Sequence, residues 1–106
     1  TEIYTLSLHD ALPIWHLVSV SRRPGLPEDF TAEAPRTDAR FVLLAGEDNL
    51  SFLPESQQRT WEWLREHRPD GRDTLHRLPG YGHLDVFLGK DAARDVHGLI
   101  LAELLA

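Results

Sequence analysis

Two short stretches of this chain hold side chains able to move protons. Pro79-Gly-Tyr-Gly-His83 places an imidazole in a glycine-rich loop, where Gly80 and Gly82 let the backbone turn sharply and project the ring. Gly46-Glu-Asp48 places two carboxylates directly after the apolar run Phe41-Val-Leu-Leu-Ala45. An acid bonded to one imidazole nitrogen fixes the tautomer and stabilises the imidazolium as it forms. The other nitrogen then takes a proton from a hydroxyl nucleophile. His83 is therefore the candidate catalytic base, and Asp48 and Glu47 are the candidate acids. The plainer alternatives are a surface histidine and an acid that only serves a turn. His83 and Asp85 suggest a metal pair, but no third ligand has suitable spacing, so no metal and no other cofactor is expected.

These residues need a scaffold that brings the two loops together. The run Phe41–Ala45 suits a strand buried on both faces, stopped by Gly46. Glu55 to His67 reads as a helix: Trp61 and Leu64 share a face, Glu55 favours its start, and His67 with Arg68 its end. Pro69-Asp-Gly71 then stops it. Thr74–Leu78 alternates weakly and is expected to be a strand, followed by a loop over Pro79–Gly89. Asp91 is positioned to cap one last helix with Val96, Ile100, Leu101, Leu104 and Leu105 on its apolar face. The order strand, helix, strand, helix implies an α/β fold built on a parallel βαβα unit. Loops at the carboxyl ends of parallel strands gather functional groups, and Asp48 and His83 lie in two such loops.

Composition narrows the function classes. The 106 residues carry a formal charge of −6, which argues against a nucleic-acid surface. The chain has no Cys, which excludes a disulfide framework or thiol nucleophile and fits a reducing, cytoplasmic setting. No apolar run approaches the ~18 residues of a membrane span. With no Met, we expect the chain to begin inside a longer one. Thr1 to Ile14, TEIYTLSLHDALPI, resembles the translation of a sequencing-library adapter across its whole length. It is set apart from the fold, and His9 and Asp10 are given no role. Residues 15–40, with Pro24, Pro27 and Pro35, read as a connector. Residues 41–106 hold the α/β unit.

The combination Gly46-Glu-Asp-Asn49, Phe52-Leu-Pro-Glu-Ser56 and Pro79-Gly-Tyr-Gly-His-Leu-Asp85 resembles the C-terminal part of α/β-hydrolase domains. The likeness runs from about Ala39 to Ala106. It is strongest to a bacterial subgroup found with, or fused to, cholesterol-oxidase-like flavoproteins of the glucose-methanol-choline family. In α/β-hydrolases the order is nucleophile, acid, histidine, and His83 maps onto that histidine. The resemblance places the acid at position 49, where this chain has Asn49, so Asp48 is the expected acid. No Gly-x-Ser-x-Gly elbow occurs: Ser19, Ser21, Ser51 and Ser56 lack the flanking glycines, and Ser7 falls in the adapter-like segment. The resemblance thus implies a truncated serine-hydrolase-type domain whose parent cleaves a small-molecule ester or related acyl bond. The fragment alone is expected to be inactive. The alternative is a non-catalytic hydrolase-like module that serves a fused or neighbouring flavoprotein oxidoreductase.

Overall fold

The computed structural model describes residues 18–106 apart from Arg22. The first fourteen residues, Trp15 and the rest of the segment before Val18 therefore lie outside the described part. Strands β1 (Val42–Gly46) and β2 (Thr74–Leu78) pair in parallel, from Val42 opposite Thr74 to Gly46 opposite Leu78. Between them in sequence runs helix α1 (Pro54–His67), which packs on both strands. The expected parallel strand–helix–strand unit is present, with boundaries shifted by one residue at Phe41, Gly46 and Glu55.

Local chemistry explains the helix. Pro54 takes the first helical position, where its fixed φ fits and its missing N–H costs nothing. Glu55 lies in the first turn, and Arg65 and His67 in the last, matching the helix dipole. Leu64 is buried, and the Trp61 indole N–H donates to the Asp73 carbonyl at 3.0 Å, fixing the helix to the start of β2. Trp63 packs on its own helix, with the His67 ring stacked 4.6 Å away.

The C-terminal end of α1 is tied to the sheet by ions. Arg68 donates to the Ala39 carbonyl at 2.8 Å and lies over the Phe41 ring at 5.0 Å. It also approaches Asp73 at 3.5 Å, both side chains being almost fully covered. Asp73 in turn accepts the Phe41 N–H at 2.8 Å, so one carboxylate anchors the entry to β1 and the approach to β2.

Two expectations need correction. The run Phe41–Ala45 was suited to burial on both faces, yet Val42 is exposed, Leu43 and Leu44 are half-buried, and only Ala45 and Gly46 are buried. Among the described residues the sheet has two strands, too few to enclose a central strand. After a one-turn helix α2 (Asp85–Leu88) inside the expected Pro79–Gly89 loop, the single Asp91-capped helix is instead two pieces, α3 (Ala92–Asp95) and α4 (His97–Leu105). Asp91 makes no side-chain cap bond and lies 3.4 Å from Arg94. The pieces bend because small anchors, Val86, Ala92 and the fully buried Val96, are drawn into the core in turn. Leu101, Leu104 and Leu105 remain exposed. Glu103 fastens α4 to the sheet: its carboxylate meets the Arg40 guanidinium, the His76 ring and, at 3.1 Å, the Thr74 hydroxyl.

The connector is not featureless. Val18 and Asp29 form an isolated antiparallel bridge, and the Ser19 N–H donates to the Glu28 carbonyl at 2.8 Å. Among the described residues no helix is long and apolar enough to cross a membrane.

Candidate functional site

Register carries the two loops to the same end of the strand pair, because Gly46 faces Leu78 in the last rung. Backbone bonds then zip the loops together. The Glu47 N–H donates to the Leu78 carbonyl at 3.0 Å, and the Asp48 N–H to the Tyr81 carbonyl at 3.1 Å. Gly46 makes this approach feasible: a Cβ there would lie 2.3 Å from the Tyr81 carbonyl oxygen. Gly80 turns the second loop with φ +77, a conformation open to glycine and costly for most other residues. Asp85 accepts the Gly82 N–H at 2.7 Å, bracing the turn that presents His83.

His83 is exposed. Its Nδ1 lies 3.5 Å from Nδ2 of Asn49, and the Phe52 ring tilts against it at 5.0 Å between centroids. Asn49 cannot turn freely. Its Oδ1 accepts the backbone N–H groups of Ser51 and Phe52, both at 2.9 Å, so the NH2 end of the amide faces the imidazole. Nε2 of His83 has no hydrogen-bond partner among the described residues.

The acids fall differently from the expected order. Asp48 occupies the predicted loop at the predicted end of the sheet, but its carboxylate makes no hydrogen bond or ion pair among the described residues. Glu47 is committed to Arg77 at 3.0 Å, and Arg77 also donates to Gln58 at 2.9 Å. The residue brought to His83 is thus Asn49, and Phe52 is a neighbour that sequence reasoning missed. Its position three residues after Asn49 is the only local signal, since the contact depends on the loop closing through the two Asn49 bonds.

No serine hydroxyl bonds to His83 among the described residues; Ser56 instead donates to the Leu53 carbonyl at 2.8 Å. No group of three His, Asp or Glu side chains among them could hold a metal ion. An open cleft of about 590 Å³ borders Pro79, Gly80 and Tyr81 and is lined by Asp85, Lys90 and Asp95, but His83 is not part of its wall. Within that cleft the Tyr81 hydroxyl donates to Asp95 at 2.8 Å. Desolvation of the phenol and its bond to Asp95 push the Tyr81 pKa up, while Arg94 and that same hydroxyl hold the Asp95 carboxyl below its usual range.

Comparison with protein-family models, with curated proteins and with solved structures yields no match for this chain.

Proposed function

We propose that this chain presents the histidine loop of a hydrolase-like α/β domain that receives a small ester or related acyl compound, with His83 as the group that meets it. The observation that carries the reading is the position of His83. An exposed imidazole stands at the carboxyl end of a parallel strand pair, held by two residues of the neighbouring strand-end loop. This is where open parallel sheets collect ligand-binding groups.

The neighbour at Nδ1 favours recognition without turnover, as a hydrolase-like module attached to or working beside a flavoprotein oxidoreductase. An amide offers no negative charge to stabilise an imidazolium, and its NH2 end cannot accept the Nδ1 proton that a general base must keep. A second reading, ester hydrolysis, is supported by Asp48. Its carboxylate, without a partner among the described residues, lies one residue from Asn49, and a rearranged loop would supply the acid. Hydrolysis also requires a nucleophile, and the 106 residues hold no Gly-x-Ser-x-Gly elbow, so that serine would have to come from outside them.

The test is an assay of the chain with short and long p-nitrophenyl esters beside a His83→Ala control. The binding reading expects calorimetric binding of a short ester by the unmodified chain that His83→Ala loses, with equal, non-saturating hydrolysis rates for the two proteins. Saturable turnover that His83→Ala abolishes would reject it in favour of hydrolysis.

A further inference from the structure

We propose that Asn49 is a positioning residue that holds neutral His83 in the Nε2–H tautomer, so that the ring offers a hydrogen-bond donor to the carbonyl oxygen of a neutral ester-type ligand. The ligand half of this inference rests on the reading above; the tautomer half stands on the hydrogen bonds alone.

In most asparagines the O and N ends are interchangeable by a flip, and only the surrounding bonds decide between them. Here two backbone N–H groups, from Ser51 and Phe52, both point at Oδ1 at 2.9 Å. Flipping the amide would set NH2 against two donors and lose both bonds. With Oδ1 committed, the atom 3.5 Å from His83 Nδ1 is a donor. A nitrogen that faces a donor must be the lone-pair nitrogen, and in neutral imidazole the proton then resides on Nε2. The Phe52 ring against one side of the imidazole limits its rotation away from this contact. A triad base has the reverse arrangement, with Nδ1–H donating to a carboxylate and Nε2 open to take a proton.

The free group is thus an outward-facing N–H, which calls for an acceptor. Nearby stand Asp48, without a partner among the described residues, and Asp85 at the start of α2, used by the Gly82 N–H. A carboxylate or phosphate ligand would meet these charges at close range, whereas a neutral carbonyl would not. Phe52, half exposed beside the ring, supplies apolar surface for the rest of such a molecule.

The chain contains its own contrast. His67 Nδ1 lies 2.9 Å from the Trp63 carbonyl, an acceptor only, so His67 carries its proton on Nδ1. Long-range ¹⁵N–¹H correlation spectra of the full chain, recorded at alkaline pH where imidazoles are neutral, resolve the two forms, with assignment by single His→Ala variants. The expected result is His67 as Nδ1–H and His83 as Nε2–H, the latter in about fivefold excess, the ratio given by one net hydrogen bond. An exposed imidazole also leans towards Nε2–H, so the deciding variant is Asn49→Asp. Asp keeps an acceptor for Ser51 and Phe52 and replaces the donor with a second oxygen, and His83 should convert to Nδ1–H. An Nδ1–H form in the unmodified chain, or no conversion in a folded Asn49→Asp variant, overturns the role of Asn49. If that variant does not fold, an Overhauser contact between the Asn49 amide protons and the His83 Hε1 proton in the unmodified chain decides, and its absence also overturns the proposal. Ethyl butyrate should move the His83 Nε2–H signal and sodium butyrate should not. A shift with butyrate, or with neither, rejects the neutral-carbonyl ligand while leaving the tautomer result intact.

Discussion

Gly46 and Tyr81 touch backbone to backbone at the end of the sheet, so closely that a single methyl on Gly46 would fall 2.3 Å from the Tyr81 carbonyl oxygen. Gly46→Ala is therefore expected to push the His83 loop off the strand end and break the Asp48–Tyr81 backbone bond. Overpacking of this kind costs about 1–3 kcal/mol. Urea unfolding would show the lower midpoint, and loss of the Asn49–His83 Overhauser contact would show the displaced loop. An unchanged midpoint together with an unchanged contact would disprove the close approach.

Asp73 links the start of both strands to the end of α1 through Phe41 and Arg68. Asp73→Ala leaves the covered Arg68 guanidinium without its counter-charge and the Phe41 N–H without an acceptor. Breaking one side of a buried ion pair costs about 3–5 kcal/mol, enough to unfold much of a small domain. The check is thermal unfolding followed by circular dichroism, with the exposed-site variant Glu33→Ala, whose pair with Arg36 is solvent-facing, expected to change stability by less than about 0.5 kcal/mol.

The Tyr81–Asp95 bond has a pH signature. The Asp95 carboxyl is lowered in the fold, so its contribution is present above the ordinary carboxylate range and is lost as pH falls through the folded value. The Tyr81 phenol is raised, so its contribution is present below the ordinary tyrosine value and is lost as pH rises through the folded one. Between these limits the bond is intact. In Asp95→Asn, ultraviolet titration should show one of the two tyrosines, Tyr4 and Tyr81, ionising at lower pH than before. Two unaltered tyrosine titrations would refute the coupling.

Glu103→Gln should loosen α4, because a neutral amide cannot hold Arg40 and His76 together as the carboxylate does. Hydrogen exchange of the α4 amides is expected to rise about tenfold or more, as the loss of roughly 1.5–3 kcal/mol of charge-assisted bonding implies. Exchange in α1 should stay nearly constant. A uniform rise across the chain would show instead that α4 and the sheet open as one unit.

Some of this protein could be read residue by residue. The apolar run before Gly46, the Pro54–His67 helix with its charge-matched ends and the strand before Pro79 follow from patterns that act within a few residues. Their parallel pairing follows from the connection between them, because a helix-length crossover joins parallel neighbours. That was enough to bring Asp48 and His83 to one edge of the sheet. The sequence alone did not determine which side chain of the Glu47–Asp48–Asn49 turn faces the imidazole. Only the closed loop decided it, through two backbone donors that consume the Asn49 oxygen and a backbone bond from Asp48 to Tyr81 that joins the two loops. The break of the last helix at Val96 and the Glu103 cluster have the same origin. Val96 is fully buried, and Glu103 meets Arg40, Thr74 and His76, all at least 27 residues away in sequence. Local propensity is set by neighbours along the chain. Burial and charge pairing are set by neighbours in space, and those exist only once the strands and helices have packed.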